Sequence, residues 1–222
     1  RFLELRAVGG KGVLDLDADE AAAFKRALDA ADIGVSSIGS PIGKVQVRSD
    51  LDSHFARFRI AVESAQFFGA RYVRVFSFYH EGEDASACRE EVIDFFHRMV
   101  DVAESANVVL LHENESHIYG DVPTRCADLL DVVSRPALRA AFDPANFIQV
   151  GVDPLRDAWP LLKDRTDYFH IKDALAASRA VVPAGYGDGG LEAILRDAVD
   201  SGFSGFLSLE PHLEAEDPVH GG

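Results

Sequence analysis

Two cysteines, one methionine and one tryptophan stand among 222 residues, and positive charge is scarce: 22 Lys and Arg against 37 Asp and Glu, a formal net charge of −15. Each scarcity excludes something. Cys88 and Cys126 form neither a thiolate metal spacing nor a disulfide framework, so both read as free thiols on helical segments in a reducing compartment. The deficit of Lys and Arg argues against a nucleic-acid partner, whose phosphates are held by basic clusters. No apolar run approaches the roughly 18 residues that signal a bilayer-spanning helix, and no signal peptide is visible. No membrane partner is therefore expected, and the default location is cytoplasmic. No low-complexity tract, linker or shift in composition divides the chain, so residues 1–222 read as one domain.

What is present is organised around Val108-Val109-Leu110-Leu111-His112-Glu113-Asn114-Glu115. An unbroken apolar run describes a strand buried on both faces, as in a parallel sheet covered by helices. The polar residues fall at its carboxyl end, where ligands bind in α/β architectures. The same grammar returns in Leu138 to Asp143, Tyr168 to Asp173 and Phe203 to Glu210. Each strand ends on a metal-capable side chain. Glu113, Asp143, His170 and Glu210 are separated by 30, 27 and 40 residues (113 to 143, 143 to 170, 170 to 210), close to one strand, one helix and their loops. Four neighbouring strand tips of a closed barrel would converge on one ion.

Seven strands are expected near Phe2, Ile33, Tyr72, Val108, Ala140, Tyr168 and Phe206, alternating with helices. Asp17 or Asp19 caps the first helix, which runs to Ala31 and is ended by Gly34. Further helices are predicted over Asp50 to Phe68 with Gly69 as its stop, Asp84 to Ala106, Pro123 to Val133, Pro154 to Leu162 and Leu191 to Ser201. The Gly-rich stretch from Pro183 to Gly190 lacks the Lys-Ser/Thr ending of a P-loop and the spaced dinucleotide fingerprint, and reads as a flexible connection. Strict alternation implies an α/β fold with a parallel sheet, and its closed form has eight strands. The expectation is a (β/α)8 TIM barrel of about 250 residues or more, of which these residues lack the first strand and the last helix. An open doubly wound sheet is the alternative.

The chain resembles the xylose isomerase-like barrel superfamily, the sugar phosphate isomerases and epimerases. The resemblance rests on Glu4-Leu5-Arg6, Ser40-Pro41-Ile42-Gly43-Lys44, Tyr72-Val73-Arg74-Val75-Phe76, His112-Glu113-Asn114-Glu115, Phe142-Asp143-Pro144-Ala145-Asn146-Phe147, His170-Ile171-Lys172-Asp173 and Ser208-Leu209-Glu210-Pro211-His212. It implies one divalent ion held by Glu113, Asp143, His170 and Glu210. Many epimerase members carry a His three residues after the Asp; this chain has Asn146, which hydrogen-bonds but does not titrate near neutrality. The superfamily also contains dehydratases and endonucleases, and fold alone does not choose among them.

Three carboxylates and one imidazole form a hard, oxygen-rich donor set, suited to Mn²⁺ first, with Mg²⁺, Co²⁺ or Zn²⁺ as alternatives. The expected activity is isomerisation or epimerisation of a sugar, sugar phosphate or polyol ketone through a metal-stabilised enediolate. Glu113 and Glu210 would take and return the proton. Glu115, Lys172 and His212 share strand faces with Glu113, His170 and Glu210. Lys172, Arg74, Lys44, Asn146 and His212 are candidate substrate contacts, Lys44 as an anion partner. Arg74 could equally form a buried ion pair with Glu4, and Lys172 a structural salt bridge. His112 and Asn114 face away from Glu113. The rival reactions are dehydration of a cyclic polyol ketone or dehydroshikimate-type substrate, and endonuclease chemistry, against which the acidic balance counts. A non-catalytic accessory subunit is the reading from another class. Apolar faces on the helices Asp50 to Phe68 and Asp84 to Ala106 suit either a core or a homo-oligomer.

Overall fold

The computed structural model describes residues 1–80, 82 and 84–210. Seven strands form one parallel sheet in chain order: β1 Phe2–Leu5, β2 Gly34–Gly39, β3 Tyr72–Val75, β4 Val109–Glu113, β5 Leu138–Phe142, β6 Thr166–Ile171 and β7 Phe206–Leu209. Every neighbouring pair is parallel. The helices α1 Ala18–Ala30, α2 Leu51–Phe68, α3 Arg89–Ser105, α4 Pro123–Val133 and α5 Leu191–Asp200 lie between successive strands. The sheet curls until its edges meet, with the Phe206 ring edge-on to Phe2 at 5.0 Å and Arg6 ion-paired to Glu210. This is a nearly closed barrel ringed by helices, the (β/α)8 TIM-barrel class.

Alternation along the strands builds the interior in two storeys. Side chains two residues apart share a face, so each strand contributes an apolar residue and, nearer its carboxyl end, a polar one. Tyr72, Leu111, Ala141 and Tyr168 form a buried cluster inside the barrel, with Val109 and Phe206 against it. Two residues beyond the first four stand Arg74, Glu113, Asp143 and His170. The Tyr168 hydroxyl meets the Ser36 hydroxyl at 2.8 Å, which gives this buried phenol a partner. The apolar storey forms a floor beneath the charged storey above.

The opposite faces pack under the helices. Phe58, Val62 and Phe68 of α2 and Phe95, Phe96 and Met99 of α3 are all buried. Phe55 and Phe95 meet edge-on at 5.7 Å, and Phe95 meets Phe78 at 4.9 Å. Most aromatic residues of these two helices thus serve the core, while Phe67 of α2 is 46% exposed. His112 lies on this outer face, buried against Phe96 with Nε2 3.0 Å from the Ser77 hydroxyl.

Most sequence-predicted boundaries hold to within a few residues. Asp17 caps α1 through a complete capping box with Glu20, and Asp50 caps α2, which stops at Gly69 with φ 71°. Two expectations need correcting. Gly34 does not end α1: Asp32 takes the left-handed turn at φ 55°, and Gly34 opens β2. Aspartate tolerates that conformation better than most residues. At Gly34 the Phe2 ring lies within 2.6 Å of where a Cβ would sit, so a side chain there would displace that ring. The Gly-rich segment is also more than a loose connection. The backbone N–H groups of Gly185, Gly187 and Gly189 donate to the Asp173 carboxylate at 2.9–3.0 Å. An internal carboxylate occupies the nest that a phosphate would otherwise take.

Burial pushes the His112 imidazole down to about 4 from its ordinary 6.5. The unfolded chain therefore takes up this proton first, and the neutral ring contributes stability that is full above pH 6.5 and disappears as pH falls toward 4. Between pH 7.5 and 5, denaturant unfolding of wild type and His112→Gln should show the wild-type advantage shrinking by about 2 kcal/mol. A pH-independent difference would mean that His112 is not held neutral by burial.

Candidate metal centre

Four strand ends bring Glu113, Asp143, His170 and Glu210 together, each offering a ligand atom within 4.8 Å of every other. His170 Nδ1 lies 3.0 Å from Glu113 Oε1 and 3.1 Å from Glu210 Oε2. Its orientation comes from the far side of the ring, where Nε2 is 2.8 Å from Glu4 Oε2. Glu4 thereby turns Nδ1 toward the cluster, the arrangement by which a carboxylate commonly fixes a metal-bound imidazole. The sequence reading paired Glu4 only with Arg74. A charged residue on β1, two positions before Arg6 and on the same face, was the signal available for more.

Asp143 divides its two oxygens between structure and site. Its Oδ1 accepts from the Asn146 backbone N–H at 2.9 Å, capping the short helix Pro144–Gln149. Its Oδ2 faces Lys172 Nζ at 2.9 Å. Asn114 holds this turn from both sides, donating to the Asp143 carbonyl and accepting from its N–H. The Asn146 amide donates to Glu113 Oε1 and to the Asn114 carbonyl, and accepts from Lys172 at 2.8 Å. Arg74 Nη1 stands 3.3 Å from both Glu4 Oε1 and Glu113 Oε2. The expected buried ion pair with Glu4 is present, and Glu113 shares the same guanidinium.

Charge explains the ionisation of these groups. Burial alone would raise the Glu113 and Glu4 carboxyls, but His170 and Arg74 beside them carry both below their ordinary values. Burial would likewise discharge His170; Glu113 and Glu4 override it and raise the imidazole well above its ordinary range. Asp143 goes the other way, pushed up to about 6 by burial against the pull of Lys172. Arg74, Lys172, Arg6 and the protonated His170 equal Glu4, Glu113, Asp143 and Glu210 in number, so a cation that displaces the His170 proton would take its place among the carboxylates.

The residues present fit a divalent ion. Glu113 Oε2, Asp143 Oδ2 and His170 Nδ1 are shielded from solvent, and each faces a charged neighbour across the cluster rather than a well-aligned hydrogen-bond partner. Buried polar atoms rarely stay so without a reason, and an ion is one. Three carboxylates and an imidazole, all convergent, match the donors that hard cations prefer.

The family model described as xylose isomerase-like TIM barrel matches residues 1–220. The chain belongs to the xylose isomerase-like TIM barrels. No curated protein matches it. Among solved structures, a D-tagatose 3-epimerase-like protein superposes with a TM-score of 0.79 at 15% identity, over 96% of this chain and 82% of that one. The probable 3-DHS dehydratase AsbF of petrobactin synthesis from Bacillus anthracis gives 0.75 at 18%, over 90% and 79%. A xylose isomerase-like TIM barrel protein from Mycobacterium smegmatis in complex with magnesium gives 0.72 at 17%, over 93% and 76%. At these identities the likeness is one of fold.

Within this xylose isomerase-like barrel, the remaining expected site residues fall as follows. Lys44 ion-pairs with Glu115 at 2.9 Å and lies over the Phe76 ring at 4.3 Å. His212 lies outside the described residues. No helix among the described residues is long and apolar enough to cross a membrane. The loop that presents Lys44 is fastened by main-chain bonds: Phe76 N–H donates to Ile42 O at 2.7 Å and Phe78 N–H to Gly43 O at 3.0 Å. At Gly43, φ is 89° and a Cβ would come within 1.9 Å of the Phe76 carbonyl oxygen. Gly43→Ala should therefore destabilise the protein by about 3 kcal/mol or more, through positive-φ strain and the clash with backbone. Thermal unfolding would show this as a fall of roughly 6–12 °C; an unchanged midpoint would mean that the loop has another available path.

Proposed function

We propose that this barrel is a divalent-metal-dependent isomerase or epimerase of a sugar, sugar phosphate or related polyol ketone. Its metal ligands are Glu113, Asp143, His170 and Glu210. The observation that carries the reading is the convergence of two carboxylates from strands three apart: Glu113 Oε1 and Glu210 Oε2 lie within 3.1 Å of the same imidazole nitrogen. The likeness of fold to a D-tagatose 3-epimerase-like protein, and to a family member in complex with magnesium, supports it. Mn²⁺ is the ion we assign, on the oxygen-rich donor set.

When bound, a divalent ion polarises a carbonyl and its neighbouring hydroxyl, which lowers the cost of removing the proton between them. The chain supplies the rest. Glu113 and Glu210 are the pair through which that proton leaves and returns, and removing either should cost about 10²–10⁴ in rate. Lys172 and Arg74 stand where negative charge develops on substrate oxygen, and both are already desolvated, so their field is strong. Asn146 steadies Glu113 and Lys172 together.

A dehydratase is the second reading, supported by Asn146 in the place where many epimerases carry a histidine and by the fold of the probable dehydratase. The opening proton abstraction would be the same, followed by loss of a hydroxyl.

Protein purified without added metal should carry about one divalent ion per chain, and Glu210→Gln should lose it. Glu4→Gln should retain the fold while weakening Mn²⁺ affinity by about 10–100-fold, because His170 loses its orienting partner. Calorimetric Mn²⁺ titration measures both. A wild-type chain that takes up no metal after reloading would defeat the proposal. With metal bound, solvent-deuterium incorporation into recovered ketose supports proton transfer, whereas a new conjugated chromophore selects the dehydratase.

A further inference from the structure

Beside the carboxylate cluster lies a cavity of about 250 Å³ whose walls include Arg6, Lys44, Arg57 and Arg74, with Asp15 as their one acidic companion in the wall. In a chain with 37 acidic and 22 basic residues, four cations lining one cleft are a local concentration of positive side chains. We infer that this cleft is an anion subsite, which receives an oxyanion end of the substrate, a phosphate monoester or a carboxylate.

The cleft and the cluster share a wall. Arg74 touches Glu113 at 3.3 Å, and Arg6 pairs with Glu210. A ligand reaching from one to the other has its reacting carbons at the carboxylates and its charged end among the cations. The volume suits one end of a molecule, since sites that enclose a whole ligand run to about 300–1,000 Å³. Space for it is kept by Gly39, where a Cβ would come within 2.5 Å of Arg6 Cγ and 2.8 Å of Glu4 Oε1.

Each cation has a carboxylate partner already, and the exposure of those pairs decides whether they yield. Arg57 pairs with Asp15, and the two side chains are 40% and 48% exposed; Lys44 and Glu115 are 31% and 21% exposed. Pairs this wet hold weakly, so an incoming oxyanion replaces the acidic partner at little cost. Arg6 and Arg74 are tied to Glu113 and Glu210, the carboxylates assigned to the metal. A cation held by those carboxylates would compete with both guanidinium groups for them and leave Arg6 and Arg74 freer to pair with the ligand. Metal and anion binding are then mutually reinforcing. Lys44 is held in place by the fastened Ile42–Gly43 turn and the Phe76 ring. Little ordering cost remains to be met on binding. Arginine forks favour phosphate and carboxylate alike.

This deepens the proposed function by naming the charge class of its substrate, and only the coupling between the two sites rests on that reading. The test is calorimetric titration with inorganic phosphate and, separately, acetate. Each is run on Mg²⁺-loaded and chelator-stripped chains of wild type, Lys44→Met and Arg57→Gln. Neither replaced residue touches a proposed metal ligand, and Mg²⁺ titration with far-ultraviolet circular dichroism verifies that site and fold are intact. Wild type should bind at least one of the two anions, more tightly with Mg²⁺ present. Each variant should lose about tenfold in anion affinity with Mg²⁺ affinity unchanged. Preference for phosphate over acetate assigns a phosphate monoester, and the reverse assigns a carboxylate. Equal anion affinity in all three proteins would place the anion on the metal and overturn the subsite, as would no binding of either anion to wild type. Failure of Mg²⁺ to bind would overturn the metal reading instead, and the stripped chain would still decide whether the cleft holds an anion.

Discussion

Four carboxylates held out of water around one imidazole are the constraint to which the rest of the barrel answers. Glu4, Glu113, Asp143 and Glu210 come from four different strands or strand ends, and each isolated buried charge would cost several kcal/mol. Arg74 and Lys172 are almost wholly buried for this reason, and Arg6 reaches across the seam between the sheet's two edges to Glu210. The acids that remain ionised still raise His170 far above its usual range, so a proton on that ring completes the balance. A cation that displaces the proton would take its place among the carboxylates.

Holding such a cluster requires rigidity, and the fold supplies it in layers. The strands deliver their end residues at fixed spacing. The Tyr72, Leu111, Ala141 and Tyr168 floor packs directly beneath these ends. Behind the strands, aromatic residues of α2 and α3 fill the space against the sheet, and His112 packs there as a neutral ring. Above, short polar devices fix the turns. Asn114 clasps Asp143, the Asp143 carboxylate caps the next helix, and Asp173 gathers three glycine N–H groups of the following loop. The same logic appears in Asp143 and Asp173: a carboxylate with two oxygens spends at least one on main chain, so its position is set before any ligand arrives.

Much of this was legible in the residues alone, because it depends on local rules. Apolar runs ending in Glu, Asp or His announced parallel strands with reactive tips. Period-two alternation placed Glu113 with Leu111, and left His112 and Asn114 on the opposite face. Capping residues at Asp17 and Asp50 and the stop at Gly69 are properties of a few neighbouring residues, and were readable for that reason. Gly34 and the Gly185 to Gly190 segment were misread because their reasons lie elsewhere in the chain. Gly34 lies against the Phe2 ring, and the glycine loop is wound around Asp173, contacts that no local pattern encodes.

The amino-acid order by itself determined the fold class, the order of strands and the four residues that meet at their carboxyl ends, since hydrophobic period and strand-helix spacing are carried within each segment. Only the tertiary structure decided how those residues are used. Rotation of His170 by Glu4, the double engagement of Arg74, the choice of Lys172 for Asp143 and the gathering of Arg6, Lys44, Arg57 and Arg74 around one cleft all join residues from different strands and loops. Such contacts depend on barrel curvature and side-chain direction in three dimensions, and a linear pattern holds neither.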